Sequence, residues 1–185
     1  MLIVVNTYKL KLTTLQQEIL KLLFVKVGSS LNQRQIARLL EVTPPAVMKA
    51  VPKLEKEKLI CIHQDKDTRR WSIELNRDNH KVTQLKRADN LKQIYESGFA
   101  DFLEKEFAGG TIILFGSYSR GEDTINSDLD IAIIGRKDKV IDLTDYEKIL
   151  ERKININFYD KFKNIHHHLK ENLCNGIVLF GGVEL

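Results

Sequence analysis

Gly116-Ser117-Tyr118-Ser119-Arg120-Gly121, followed by Asp128-Leu129-Asp130-Ile131-Ala132-Ile133-Ile134, decides how this chain is read. The first stretch comes directly after Thr111-Ile112-Ile113-Leu114-Phe115, an apolar, β-branched run with the length of a buried strand, itself introduced by Gly109-Gly110. The second is another strand-like run, opened by two carboxylates, with ten residues separating Ser117 from Asp128. Side chains alternate along a strand, so Asp128 and Asp130 share one face while Leu129 points the other way. Two carboxylates so placed suit a hard divalent cation, which prefers oxygen ligands and keeps some of its waters. A glycine at a strand end lets the backbone approach a phosphate closely, and Ser117 with the amides that follow can cradle a polyphosphate.

Taken together, the Gly-Ser pair, the Arg-Gly three residues on, the ten-residue spacer and the Asp-x-Asp strand resemble the signature of the nucleotidyltransferase superfamily related to polymerase beta, especially its minimal members. Residues 111–134 carry the match. The resemblance implies a C-terminal mixed β-sheet flanked by helices. It implies that Asp128 and Asp130 are the catalytic, metal-holding carboxylates for Mg²⁺, and that Gly116, Ser117 and Arg120 contact ATP or another nucleoside triphosphate. In such enzymes an acceptor hydroxyl attacks in line, a nucleotidyl group moves to it, and pyrophosphate leaves.

One element of the family pattern is missing. Its third carboxylate comes from a later strand, where this chain offers Lys153-Ile154-Asn155-Ile156-Asn157-Phe158-Tyr159. Asn155 takes the expected position, or Asn157 if the register slips by two, and Asp160 just beyond is a substitute candidate. An amide oxygen can ligate a metal but carries no charge and cannot act as a base. Whether the chain is an enzyme therefore stays open: nucleotide and one metal are expected to bind, with transfer slow or absent.

Working back towards the N-terminus, Val82, Leu85, Leu91, Tyr95, Phe99, Phe102, Leu103 and Phe107 recur at spacings near three and four over residues 81–107. This predicts one long linking helix or two joined at Gly98, packed against a core or forming a homodimer seam. Further back, Leu15, Ile19, Leu22, Leu23 and Val27 predict a helix with a Thr14/Gln17 capping box. Asn32 caps a second helix carrying Ile36, Leu39 and Leu40. Thr43-Pro44 opens a third, which buries Val47, Val51 and Leu54 and leaves Met48, Lys49, Lys53 and Lys56 to solvent. The runs 59–63 and 70–75, separated by the polar turn 64–68, predict a hairpin.

Helix, helix, helix, hairpin over residues 13–76 resembles the winged helix-turn-helix domain. That resemblance implies binding to double-stranded DNA, with the third helix in the major groove and phosphates held on either side. Arg34 and Arg38 on the second helix, Lys49 and Lys53 on the third, and Lys66, Arg69 and Arg70 at the hairpin tip are the expected DNA-contacting residues. Winged helices also serve as protein-interaction modules, and that reading stays open.

Charge agrees with this division. Residues 1–80 hold 14 Lys+Arg against 8 Asp+Glu, and the remainder 15 against 17, so the basic excess sits where a polyanion is expected. The 185 residues are 43% apolar and 29% charged with only 3 Pro, which excludes collagenous and disordered classes. No apolar run reaches the ~20 residues of a membrane span, and Met1–Leu12 lacks the features of a signal peptide, so the expected location is cytoplasmic. Cys61 and Cys174 are isolated, excluding a disulfide framework or thiolate zinc site. In the run His166-His167-His168, successive helix residues point ~100° apart and three do not converge on one ion, so a solvated or partner-facing helix is expected.

The fold class is thus α+β in two domains: a winged helix over 1–80, a linking helix over 81–107, and a minimal nucleotidyltransferase domain over 108–185. The function expected is transcription regulation by a DNA-binding chain that binds a nucleoside triphosphate with magnesium. The alternative is an active nucleotidyltransferase acting on a protein or RNA hydroxyl.

Overall fold

The structure, a computed structural model, describes residues 11–64 and 71–183. Lys66, Arg69 and Arg70 of the expected hairpin tip lie outside the described residues. The chain divides into two compact units, residues 11–24 with 29–76, and residues 25–28 with 77–183.

In the first unit, α1 (Thr14–Val25) turns Ile19, Leu20, Leu23 and Phe24 inward. Its capping box sits one residue earlier than the sequence suggests. The Thr13 amide donates to Gln16 Oε1 at 3.0 Å and the Gln16 amide to Thr13 Oγ1 at 3.4 Å, because the Gln16 side chain is buried and reaches on to the Ala50 carbonyl. Helix α2 (Gln33–Leu39) opens on the expected Asn32 cap, which the structure extends to a capping box: Asn32 accepts from the Arg34 and Gln35 amides while Gln35 Oε1 accepts from the Asn32 amide. Helix α3 (Pro44–Lys56) buries Val47, Ala50, Val51 and Leu54 and exposes Met48, Lys49, Lys53 and Lys56. Strands β1 (Ile60–Gln64) and β2 (Trp71–Leu75) pair antiparallel, Ile60 opposite Leu75. Leu31, between α1 and α2, makes a reciprocal bridge to Ile73, which adds a one-residue third strand to the hairpin. Three helices, a hairpin and that bridge make this unit a winged helix.

The second unit begins with α4 (His80–Glu96) and α5 (Phe99–Glu106), so the 81–107 segment is two helices. They meet at Gly98, whose φ of +74° is left-handed and suits glycine. Strand β3 (Thr111–Phe115), α6 (Gly116–Arg120), β4 (Leu129–Ile134), α7 (Thr144–Leu150), β5 (Ile154–Tyr159), α8 (His167–Cys174) and β6 (Ile177–Phe180) follow. The sheet order is β5-β4-β3-β6, with β4 parallel to β5 and the other pairs antiparallel, a mixed sheet as expected. The C-terminal run Ile177–Phe180 forms an edge strand.

Alternation along the strands separates two apolar layers. Ile112, Leu114, Leu129, Ile131, Ile133 and Ile154 pack with α4, α5 and α7, while Ile113, Phe115, Ala132 and Ile134 pack with Phe162, Ile165 and Leu173. Among the described residues no helix is long and apolar enough to cross a membrane.

Candidate active site

Strand β3 delivers the chain into Gly116, whose φ is +76°. A Cβ there would lie 2.5 Å from Asp130 Oδ2, so glycine is required both by backbone conformation and by the approach of a carboxylate. This follows from register: Phe115 stands opposite Asp130 across β3 and β4. On the other side of β4, Asp130 stands opposite Asn155 in the parallel β4–β5 pair. The Asn155 Nδ2 donates to Asp128 Oδ2 at 3.0 Å and stands 3.5 Å from Asp130 Oδ1. Both carboxylates therefore converge on one amide, on the face that alternation assigns them. Asn157 lies one pleat further along, opposite Ala132. Of the two amides that sequence left open, Asn155 takes the position.

Asp160 does not substitute for the missing carboxylate. It is exposed beyond the far end of β5, five residues and ~16 Å of extended chain from Asn155, beside a separate cavity shared with Arg136, Lys161 and Lys163. The parallel alignment of β5 on β4 carries it away from Asp128 and Asp130.

Ser117 is half-buried, and its carbonyl accepts from the Glu122 amide at 3.0 Å, which closes the turn after α6. Arg120 pairs through Nε with Glu122 Oε2 at 2.7 Å, so its guanidinium is partly engaged within the loop. Glu147 on α7 accepts the Ile154 amide at 2.9 Å, tying α7 to the strand that presents Asn155. The Thr144 amide donates to Asp142 Oδ1 at 3.0 Å. A hollow of about 420 Å³ lies beside Asp128, lined by Ser127, Glu147, Lys148 and Lys153 among others.

Behind the loop lies a network that sequence periodicity does not reveal. The inward face of α4 is Val82, Lys86, Asn90 and Ile94, and its two middle members are polar. Lys86 donates to Asp123 Oδ1, and the Asn90 Nδ2 donates to Asp123 Oδ1 at 2.8 Å and to the Tyr118 carbonyl at 2.9 Å. Arg152 Nη2 reaches the other Asp123 oxygen at 3.1 Å. Lys86, Asp123 and Arg152 are all almost wholly buried. Burial pulls the Lys86 ammonium below the ordinary lysine range, opposed by the Asp123 charge. The Tyr118 hydroxyl is buried with no hydrogen-bond partner among the described residues, and burial, aided by the Asp123 charge, raises its pKa above the usual phenol value. Gly121 presses on the α4 backbone, where a Cβ would meet the Thr83 carbonyl at 2.4 Å. Asp123 thus fastens the turn between Ser117 and Asp128 to α4 and to the entry of β5.

In the first unit, Arg34, Arg38 and Lys49 are exposed on α2 and α3 as expected. Lys53 is exposed too, but its ammonium donates to the Lys11 carbonyl.

A strand ending in Gly-Ser, an Asp-x-Asp strand antiparallel to it and a further strand parallel to the second define a nucleotidyltransferase-type fold. Residues 96–180, within the second unit, match the family model described as a nucleotidyltransferase domain. Among solved structures, the chain is similar to a MepR–DNA complex from S. aureus, at 28% identity over 51% of this chain and 81% of that one, with a TM-score of 0.37. It is also similar to the adhesin competence repressor AdcR from Streptococcus pyogenes, at 24% identity over 56% and 72%, with a TM-score of 0.43. No curated protein matches the chain.

Proposed function

We propose that this chain is a DNA-binding transcriptional regulator whose nucleotidyltransferase domain binds a nucleoside triphosphate together with Mg²⁺. The observation that carries the nucleotide half is the convergence of Asp128 and Asp130 on the Asn155 amide, directly beside Gly116. The donor set fits the ion: two carboxylates on one face, an amide whose oxygen is a further neutral ligand, and all-oxygen chemistry matching a hard cation. Asp128 and Asp130 hold it, and Mg²⁺ supplies neutralisation of phosphate charge. Gly116 leaves room for a phosphate, Ser117 offers a hydroxyl, and Arg120 adds positive charge at the loop's end.

For transfer, an acceptor hydroxyl oxygen must bond the α-phosphorus while the bond to the β-phosphate oxygen breaks and pyrophosphate departs with that electron pair. The acceptor's proton must also go to a base. Asn155 cannot receive it. This residue favours binding over turnover, and makes active transfer to a protein or RNA hydroxyl the second reading.

ATP with Mg²⁺ is expected to raise the melting temperature of the chain, because a ligand that binds only the native state stabilises it by mass action. Neither alone should match the pair. Loss of the shift in Asp128→Asn/Asp130→Asn is expected, and a shift retained in that variant would place the nucleotide elsewhere. Asn155→Asp followed by incubation with α-labelled nucleotide separates the two readings: label on an acceptor only in the variant supports binding without turnover in the natural chain. Label transferred by the unaltered chain would establish the enzyme.

The DNA half rests on exposed Arg34, Arg38 and Lys49 on adjacent helices of a winged helix. Lys49→Ala is expected to weaken duplex binding and to reduce the slope of log affinity against log salt by about one. An unchanged affinity and slope would remove that helix from the interface.

A further inference from the structure

The chain contains 5 histidines, and three of them stand in succession at 166–168, at the start of α8. The expectation that three consecutive residues cannot face one ion holds for the run itself. It leaves out Glu171. On a helix turning ~100° per residue, His167 and His168 stand at 0° and 100°, and Glu171, four residues beyond the first, returns to ~40°, between them. The structure shows the result: His167 Nδ1 is 3.8 Å from Glu171 Oε1, and His168 Nδ1 is 3.8 Å from Glu171 Oε2. One ligand atom from each of the three lies within 4.8 Å of the others.

We propose that His167, His168 and Glu171 form a surface site for a borderline transition cation such as Zn²⁺, independent of the Asp128/Asp130 site. Two imidazole nitrogens with one carboxylate suit Zn²⁺, Ni²⁺ or Cu²⁺ and are poor ligands for Mg²⁺. Zn²⁺ binds nitrogen at 2.0–2.1 Å, so neighbouring ligand atoms of a tetrahedral site stand ~3.3 Å apart. One ligand atom from each side chain already lies within 4.8 Å of the others, and all three side chains are exposed, touching only neighbouring imidazole rings, so side-chain rotation closes the remaining distance. Three protein ligands leave a fourth position for water or a ligand from another molecule. His166 precedes the helix as its N-cap and faces His168 at 5.5 Å between ring centroids, outside the three-ligand group. The domain then carries two cation sites of different hardness, one of oxygens on β4 and β5 and one of nitrogens and oxygen on α8.

Calorimetric titration of the metal-stripped 185-residue chain without a histidine tag, with Zn²⁺ as titrant against a background of excess Mg²⁺, tests this. One equivalent of Zn²⁺ is expected to bind the natural chain and Asp128→Asn/Asp130→Asn alike, and to be lost in His167→Gln/His168→Gln. Glutamine at these exposed positions leaves α8 in place, which circular dichroism checks. Cu²⁺ bound at the same site should show hyperfine coupling to two nitrogens. Zn²⁺ stoichiometry unchanged by the histidine substitutions, or absent from the natural chain, would overturn the proposal.

Discussion

The two units solve the same problem with different materials. The winged helix closes over apolar side chains and, among the described residues, buries one polar residue, Gln16, whose amide reaches a backbone carbonyl. The second unit buries Lys86, Asn90, Ser119, Asp123 and Arg152, three of them charged. A buried charge is costly unless paired, and removing one partner leaves the others uncompensated. The contrast teaches where each unit is brittle: the first fails by cavity, the second by charge. It also marks what the second unit needs held still, since the network grips the loop that leads into Asp128.

The sharpest way to break this contrast is Asp123→Asn, which keeps the shape and removes the charge facing Lys86 and Arg152. A loss of about 3–5 kcal/mol is expected, because two buried cations are left without a counter-charge. Urea unfolding followed by circular dichroism measures it, and a change under 1 kcal/mol would show that the buried ions are not what secures the loop. In the other unit, Leu54→Ala should cost about 3 kcal/mol through the cavity it opens. Trp71 on β2 is the chain's single tryptophan, so its fluorescence reports that unit specifically.

Gly116→Ala probes the site itself. Left-handed backbone at a residue with a Cβ costs about 1–2 kcal/mol, and the added atom pushes against Asp130, so the Mg²⁺-dependent nucleotide shift should weaken more than overall stability does. The smallest effect has the opposite sign. Tyr118→Phe deletes a buried hydroxyl that has no partner and should stabilise the unit by about 1 kcal/mol.

The same tyrosine gives a pH test. Its folded-state pKa is raised, so the stability from keeping the phenol protonated is complete below the ordinary value of 10.0 and is lost as pH rises above it. Absorbance titration near 295 nm should show Tyr118, together with Tyr159, ionising later in the folded chain than after unfolding, and Tyr118→Phe should remove one of these late phenols.

The sequence showed most where chemistry and periodicity coincide. Asp128-Leu129-Asp130 on a strand could face only one way, and the third position was narrowed to Asn155 or Asn157 before its neighbours were known. Gly98 marked where the 81–107 segment could divide, leaving one helix or two open. Other features lay beyond local pattern for physical reasons. Glu147 satisfies a strand amide instead of its own helix, a tertiary partner that local spacing does not encode. Asp160 is close to Asn155 in sequence and far along an extended strand. The inward face of α4 escaped notice because Lys86 and Asn90 occupy it, and an apolar pattern cannot mark a buried ion cluster. The bridge of Leu31 to Ile73 is a single residue and has no period at all.

Asparagine and aspartate codons differ by one base. If Asn155 is what restrains turnover, a point mutation in the gene is all that separates a domain that keeps its triphosphate intact from one that cleaves it. Selection could cross that boundary in either direction without moving a strand.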